Sequence, residues 1–390
     1  MINIEDSNLP KYAIGLMSGT SLDAIDVALC EVSGVDLNTD LKLIDFCSYN
    51  YNEKLLSKVQ KVVSGDPLFV SDISALNVEL GYEYADAVKK ICDKNDINLK
   101  NLFFIASHGQ TVFHEATGNE RTVRSTLQLG DPAIIAYETG VKTISNFRAK
   151  DMAASGEGAP LVPKSELILY KDNYSKVLLN IGGISNITYI PKEKIEDEII
   201  GYDTGPGNMM INESVNHFYN IDYDDAGKLA SKGKVIQPLL DELMNHWFIS
   251  KKPPKSTGRD EFGKDYTHSL IKKYKKEENK DIIHTFTAFT AHSIAKHVKD
   301  IVDNGKEVER LIVSGGGVHN NTLLSLLKNV LLDDSIKVMT QEDIGYSSDA
   351  KEAIAFVVLA NQTIYNRPGN IPSVTGAKKQ VVLGSITYPS

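Results

Sequence analysis

Two stretches with one layout constrain the fold most: GLMSGTSLDAIDVAL, Gly15–Leu29, and LLNIGGISNITYI, Leu178–Ile190. Each is an apolar run, a turn of small residues and a second run whose apolar positions alternate, the period-2 signature of paired strands. A unit that recurs after about 160 residues predicts two copies of one α/β domain rather than one long core. At 390 residues the chain also exceeds what a single core usually fills.

The remaining elements order themselves around these hairpins. Leu41 to Asn50 reads as a third strand, and helices are expected near Glu53 to Ser64 and Val70 to Lys94. A short strand, Leu102 to Ser107, runs into His108-Gly109-Gln110-Thr111, which puts polar side chains at a strand end, where open α/β sheets bind ligands. Asn146 to Pro163 reads as a polar, irregular loop outside the core, and Pro253 to Gly263 as another. Further helices are expected over Met209 to Phe218, Val235 to Trp247, Tyr266 to Lys276, Ile282 to Asp303 and Asp349 to Tyr365. A hinge near residue 140 divides the chain into 1–140 and 141–367, with 368–390 a candidate completion of the first domain.

Composition narrows the partners. With 42 basic and 51 acidic residues the net charge is −9 and no basic stripe occurs, which argues against nucleic acid and anionic membranes. No apolar run approaches a membrane span, and the acidic N-terminus lacks a signal-peptide pattern, so a cytoplasmic protein is expected. Cys30, Cys47 and Cys92 lack metal-ligand or disulfide spacing and read as ordinary buried thiols.

On residues alone, Gly19 can free backbone N–H groups for an anion, Thr20 and Ser21 add hydroxyl donors, and Asp23 is placed to hold a hydrated Mg²⁺. A plain hairpin is the competing reading. His108 and Gln110, at a strand end, offer polar groups to a ligand, against purely structural roles.

Nine ordered blocks carry a resemblance: MSGTSLDAID (17–26), SHGQTVFH (107–114), LQLGDP (127–132), NFRAKDMAASGEGAPLVP (146–163), LNIGGISNIT (179–188), DTGPGN (203–208), PPKSTGRDEF (253–262), SGGGVHN (314–320) and NIPSVTGA (370–377). On these the chain resembles the anhydro-N-acetylmuramic acid kinases, within the acetate and sugar kinase, heat-shock chaperone and actin superfamily. The resemblance implies two duplicated ribonuclease H-like α/β domains with ATP in the cleft between them. It implies ATP and Mg²⁺ as cofactors and an anhydro-sugar as substrate, opened by hydrolysis and phosphorylated on O6.

By the same resemblance Gly19, Thr20, Ser21 and Asp23 form a first phosphate loop, and Asn180, Gly182, Gly183 and Asn186 a second. Asp203, Gly205, Gly207 and Asn208 would complete it, and Gly315, Gly316 and Asn320 would flank the adenosine. Asp151 is implied as the base that takes a proton from the attacking water, with Arg148 steadying either that carboxylate or the phosphate, against an ordinary surface ion pair. Asp23 and Asp203 would hold the metal's waters, against an ordinary Asx-turn for Asp203. His108, Gln110, Asp131 and Glu352 would face the sugar, although a first-turn Glu is also favoured by the helix dipole.

The chain departs from the family pattern at Ala24, Ser155 and Glu157, where Gly, Gly and Gln are usual. Glu157 adds negative charge near an anionic substrate and keeps levoglucosan, an uncharged anhydro-sugar, as an alternative. A nucleotide-binding sensor or chaperone-like ATPase is the other rival. The oligomeric state stays open, a homodimer included.

Overall fold

The computed structural model describes residues 7–19, 24–64, 67–118, 120–170, 173–193, 195–253, 255–332 and 335–389. It divides into two compact units, Met1–Lys171 with Ala350–Ser390, and Asp172–Asp349.

The first unit carries β1 (Lys11–Ser18), β2 (Ala24–Ser33), β3 (Asp40–Asn50), β4 (Leu102–Glu115), β5 (Ser125–Leu129) and β6 (Thr143–Ser145). The second carries β7 (Lys176–Ile181), β8 (Ile184–Ile190), β9 (Ile200–Pro206), β10 (Arg310–Ser314) and β11 (Lys337–Thr340); β12 (Ser385–Thr387) returns to the first. Sheet order is β12-β6-β4-β1-β2-β3 in one unit, with β5 on β4, and β11-β10-β7-β8-β9 in the other. In both, the first three strands form an antiparallel meander and two more add in parallel beyond the first, β4 and β6 in one unit and β10 and β11 in the other, while β5 pairs antiparallel with β4. The duplication expected from the paired hairpins is therefore present in order and in direction.

Alternation explains why both faces of the first sheet are covered. Ile14, Leu16, Val27 and Leu29 point to a core shared with the helix Val70–Lys94. Ala13, Met17, Ala28 and Cys30 point to the other, shared with the helix Lys351–Ile364. In the second unit Val177, Leu179 and Ile181 share a core with the helices Asn279–Asp303 and Asn321–Val330.

Three expectations are corrected. The division falls at 171 and 349 rather than 140 and 367, because β6 pairs with β4 and the helix Lys351–Ile364 packs in the first unit's core. The segment 146–163 is not a loop outside the core: Phe147–Ala153 is a helix, with Phe147, Asp151 and Met152 buried, started by Asn146 in the left-handed conformation. The strand at Leu102 does not stop at Ser107; it runs to Glu115, because β5 supplies new partners from Gln110 onward. Of the cysteines, Cys30 and Cys92 are buried, but Cys47 is partly exposed.

Candidate active site

In the first unit the candidate residues separate into a rigid support and an exposed glutamate. His108 is buried inside β4, its Nδ1 2.8 Å from Gly109 O and its Nε2 accepting from Arg148 Nε at 3.0 Å. Burial, and then the Arg148 charge, push its pKa down to about 3, so the ring is neutral and acts as a bracket. This corrects the expectation of a sugar-facing histidine, since both ring nitrogens are engaged. Arg148 also donates to Gly158 O at 2.7 Å. It leaves Asp151 to other donors, so of the expected roles of Arg148 the contact with that carboxylate is not made among the described residues.

Asp151 is 0% exposed. Its Oδ1 accepts from Asn370 Nδ2 at 2.7 Å and Thr375 Oγ1 at 2.8 Å, and its Oδ2 from Gly158 N at 2.8 Å. A Cβ on Gly156 would stand 2.2 Å from Oδ2, so glycine there lets the loop close over the carboxylate. Both oxygens are committed and shielded, an arrangement that suits a brace for loop 156–158 and not a base that must reach water.

Gln110 is buried, with Nε2 3.2 Å from Thr111 O and an Oε1 that has no partner among the described residues. Asp131 caps the helix Pro132–Thr139, its Oδ1 accepting from Ala133 N at 2.9 Å, which answers for its identity without a ligand. Glu352 is different: its side chain is reached by solvent yet surrounded by protein. Burial raises its pKa, with Lys351 and Arg148 opposing and Asp26 adding. Arg148, held by His108 and Gly158, and the exposed Glu352 interact electrostatically.

In the second unit Asn180, Asn186 and Asp203 are successive cross-strand partners on β7, β8 and β9, so their side chains rise from one face. Beside them lies the β7–β8 turn, where Gly182 O accepts from Asn208 N at 2.8 Å and Gly183 O from Gly207 N at 2.8 Å. Gly205, with φ of 139°, and Gly315, with φ of 81°, are required by their backbone. Gly183 and Gly316 are not: a Cβ would meet nothing nearer than 3.5 Å and 3.9 Å. Glycine where packing makes no demand is what close approach of an anion to backbone N–H groups calls for. Asn320 caps the helix Asn321–Val330, its Oδ1 accepting from Leu323 N at 3.0 Å, a structural duty beside the expected nucleotide contact.

Asp203 is only partly buried. Its Oδ2 accepts from Ser256 Oγ at 2.9 Å and Thr257 N at 2.9 Å, while Oδ1 has no protein partner among the described residues. Burial raises its pKa, with these donors and Lys255 opposing. One oxygen is fixed, the other has no partner among the described residues, and burial favours the protonated form, an arrangement compatible with general-base chemistry. The partners lie in PPKSTGRDEF, a block that carries the resemblance but to which sequence reasoning gave no role.

A family model described as anhydro-N-acetylmuramic acid kinase matches residues 11–389. The chain is 50% identical over 379 residues to the anhydro-N-acetylmuramic acid kinase of Francisella tularensis subsp. novicida, covering 97% of this chain and 99% of that one. It is 46% identical over 380 residues to that of Bacillus cereus strain Q1, covering 97% and 100%. The chain belongs to the anhydro-N-acetylmuramic acid kinase family. It is a carbohydrate kinase. Among solved structures, the (R)-2-hydroxyglutaryl-CoA dehydratase component A of Acidaminococcus fermentans aligns over 91% of this chain and 99% of its own, at 10% identity and a TM-score of 0.45.

The departures from the family pattern now have physical readings. Ala24 opens β2 in extended conformation, which alanine adopts freely. Ser155 has φ of 72°, where glycine is easier. Glu157 is exposed, and its backbone N–H bonds Thr375 O at 2.7 Å. Thr20, Ser21 and Asp23 lie outside the described residues; Gly19 is partly exposed at the end of β1. For magnesium, no group of three or more His, Cys, Asp or Glu among the described residues is placed to share an ion.

Proposed function

We propose that the protein hydrolytically opens the 1,6-anhydro ring of 1,6-anhydro-N-acetylmuramic acid and transfers the γ-phosphoryl group of ATP to O6, giving N-acetylmuramic acid 6-phosphate and ADP. The observation that carries this reading is Asp203, with one carboxylate oxygen held by Ser256 and Thr257 and the other without a partner among the described residues.

Asp203 Oδ1 takes a proton from a water as the water oxygen bonds to the anomeric carbon. The C1–O6 bond breaks, and O6 attacks the γ-phosphorus, expelling ADP. This moves the base from Asp151, whose oxygens are both engaged, to Asp203. It also reserves Asp203 for water, leaving metal-bound waters to Asp23.

Backbone N–H groups around Gly183 and Gly316, with Asn180 and Asn186, offer donors to phosphate oxygens, while the Gly182 N–H holds the turn through Ile184 O. Gly19, Thr20, Ser21 and Asp23 remain the proposed companion loop. Magnesium, when bound, neutralises phosphate charge. Arg148 and Glu352 address the sugar, the arginine suited to a lactyl carboxylate and Glu352 to hydroxyl or amide N–H groups. A cytoplasmic setting, where ATP is supplied, belongs to the same reading.

The test is coupled ADP release with ATP and magnesium, comparing the muramic sugar with levoglucosan. A higher kcat/KM on the muramic sugar supports the proposal; preference for levoglucosan overturns the substrate, and no sugar-dependent ADP release overturns the reaction.

A further inference from the structure

A buried ammonium stands behind Asp203. Lys255 is 6% exposed, lies against the Phe248 and Tyr202 rings at 4.4 and 5.8 Å, and donates to Phe248 O at 2.9 Å. Its Nζ also lies 3.0 Å from His297 Nε2. His297 is buried in turn, with Nδ1 3.3 Å from Asp300 Oδ2. Burial first, then Lys255 and Lys296, push the pKa of His297 down to about 4, so its ring is neutral, with Nδ1–H toward Asp300 and the Nε2 lone pair toward Lys255.

Lys255 is itself pushed down to about 8, by burial and then by Lys296 and Lys251, with Asp300 and Asp203 opposing. Its Nζ is satisfied by a carbonyl and an imidazole rather than a carboxylate. Such a group costs folding free energy that a methionine of similar length would not. Packing alone does not explain a lysine at this position.

Its place in the chain does. Asp203 N donates to Lys255 O at 3.2 Å, and the next two residues, Ser256 and Thr257, hold Asp203 Oδ2. We propose that Lys255 is a positioning residue: its anchored side chain fixes segment 255–257, which holds Asp203 so that Oδ1 stays free for water. Lys255 touches neither substrate nor nucleotide in this scheme, and the inference rests on Asp203 as the base.

The test is Lys255→Met in the full-length protein and again in an Asp203→Glu background, whose longer side chain withdraws the carboxylate from the Ser256 and Thr257 donors. The expected result is a fall of at least tenfold in kcat, KM for both substrates within twofold, and a Tm equal to or above that of the parent. In the Asp203→Glu background the loss shrinks below threefold, because the two residues act through one contact. A kcat within twofold of the parent, or the same fold-loss in both backgrounds, overturns the proposal. Should Lys255→Met fail to fold, His297→Leu removes one acceptor of the ammonium and is expected to lower kcat about threefold at unchanged KM; unchanged kcat overturns the proposal. Full turnover in Asp203→Asn would remove the base reading and this inference together. Loss in Asp203→Asn with a normal Lys255→Met removes only the inference.

Discussion

Asn370 donates its side-chain amide to Asp151 Oδ1 at 2.7 Å, tying the helix that follows β6 to a residue 219 positions further along the chain. With Thr375 and Gly158 it leaves neither oxygen of Asp151 free. Asp151→Asn would turn one of these oxygens into an NH₂ facing a donor. The expected cost is about 2–4 kcal/mol of stability in urea denaturation, the penalty for unpaired buried groups. Loss of kcat without loss of stability would return the base role to Asp151.

Asp203→Asn is expected to do the reverse. Removing a partly buried carboxylate of raised pKa leaves Tm unchanged or higher, while kcat falls roughly 10²- to 10⁴-fold, the range for a lost general base. In the parent, the base works only when deprotonated. The acid limb of the kcat/KM profile should therefore lie above the ordinary aspartate value of 3.8.

Much of this was legible in the sequence. The hairpins at 15–29 and 178–190 announced themselves by period-2 alternation, which needs only local residues, and the doubled strand order followed. The helix Phe147–Ala153 was not legible, because its left-handed start at Asn146 and its glycine-rich exit look like loop chemistry. Asp131 and Asn320 were read as ligand contacts although each precedes a helix, where an N-cap is the local explanation. The clamp on Asp203 was invisible for another reason: Ser256 and Thr257 are more than 50 positions away and neutral, so no charge pattern links them.

Ser155 occupies a left-handed position at φ of 72°. Ser155→Gly removes the Cβ penalty, offset in part by the added freedom of the unfolded chain. It should stabilise by about 0.5–1 kcal/mol, read as a shift in urea midpoint at constant m-value.

His108 supplies a pH-linked prediction. Its folded pKa, near 3, lies below its unfolded value of about 6.5, so the unfolded state takes up the proton first. The stability contributed by neutral His108 is complete above pH 6.5 and declines as pH falls toward 3, by at most about 1.4 kcal/mol per pH unit. His108→Gln retains an acceptor for Arg148 and cannot titrate. Its stability should change less than the parent's between pH 6.5 and 4; parallel curves would contradict the assignment.

The most direct measurement is the structure of the product formed from 1,6-anhydro-N-acetylmuramic acid and ATP, read by mass spectrometry and NMR alongside ADP. The expected result is one ADP per N-acetylmuramic acid 6-phosphate, with the phosphate on O6 and a free anomeric centre. ADP without a phosphorylated sugar, or a phosphosugar that keeps its 1,6-bridge, would contradict the coupling of ring opening to phosphoryl transfer.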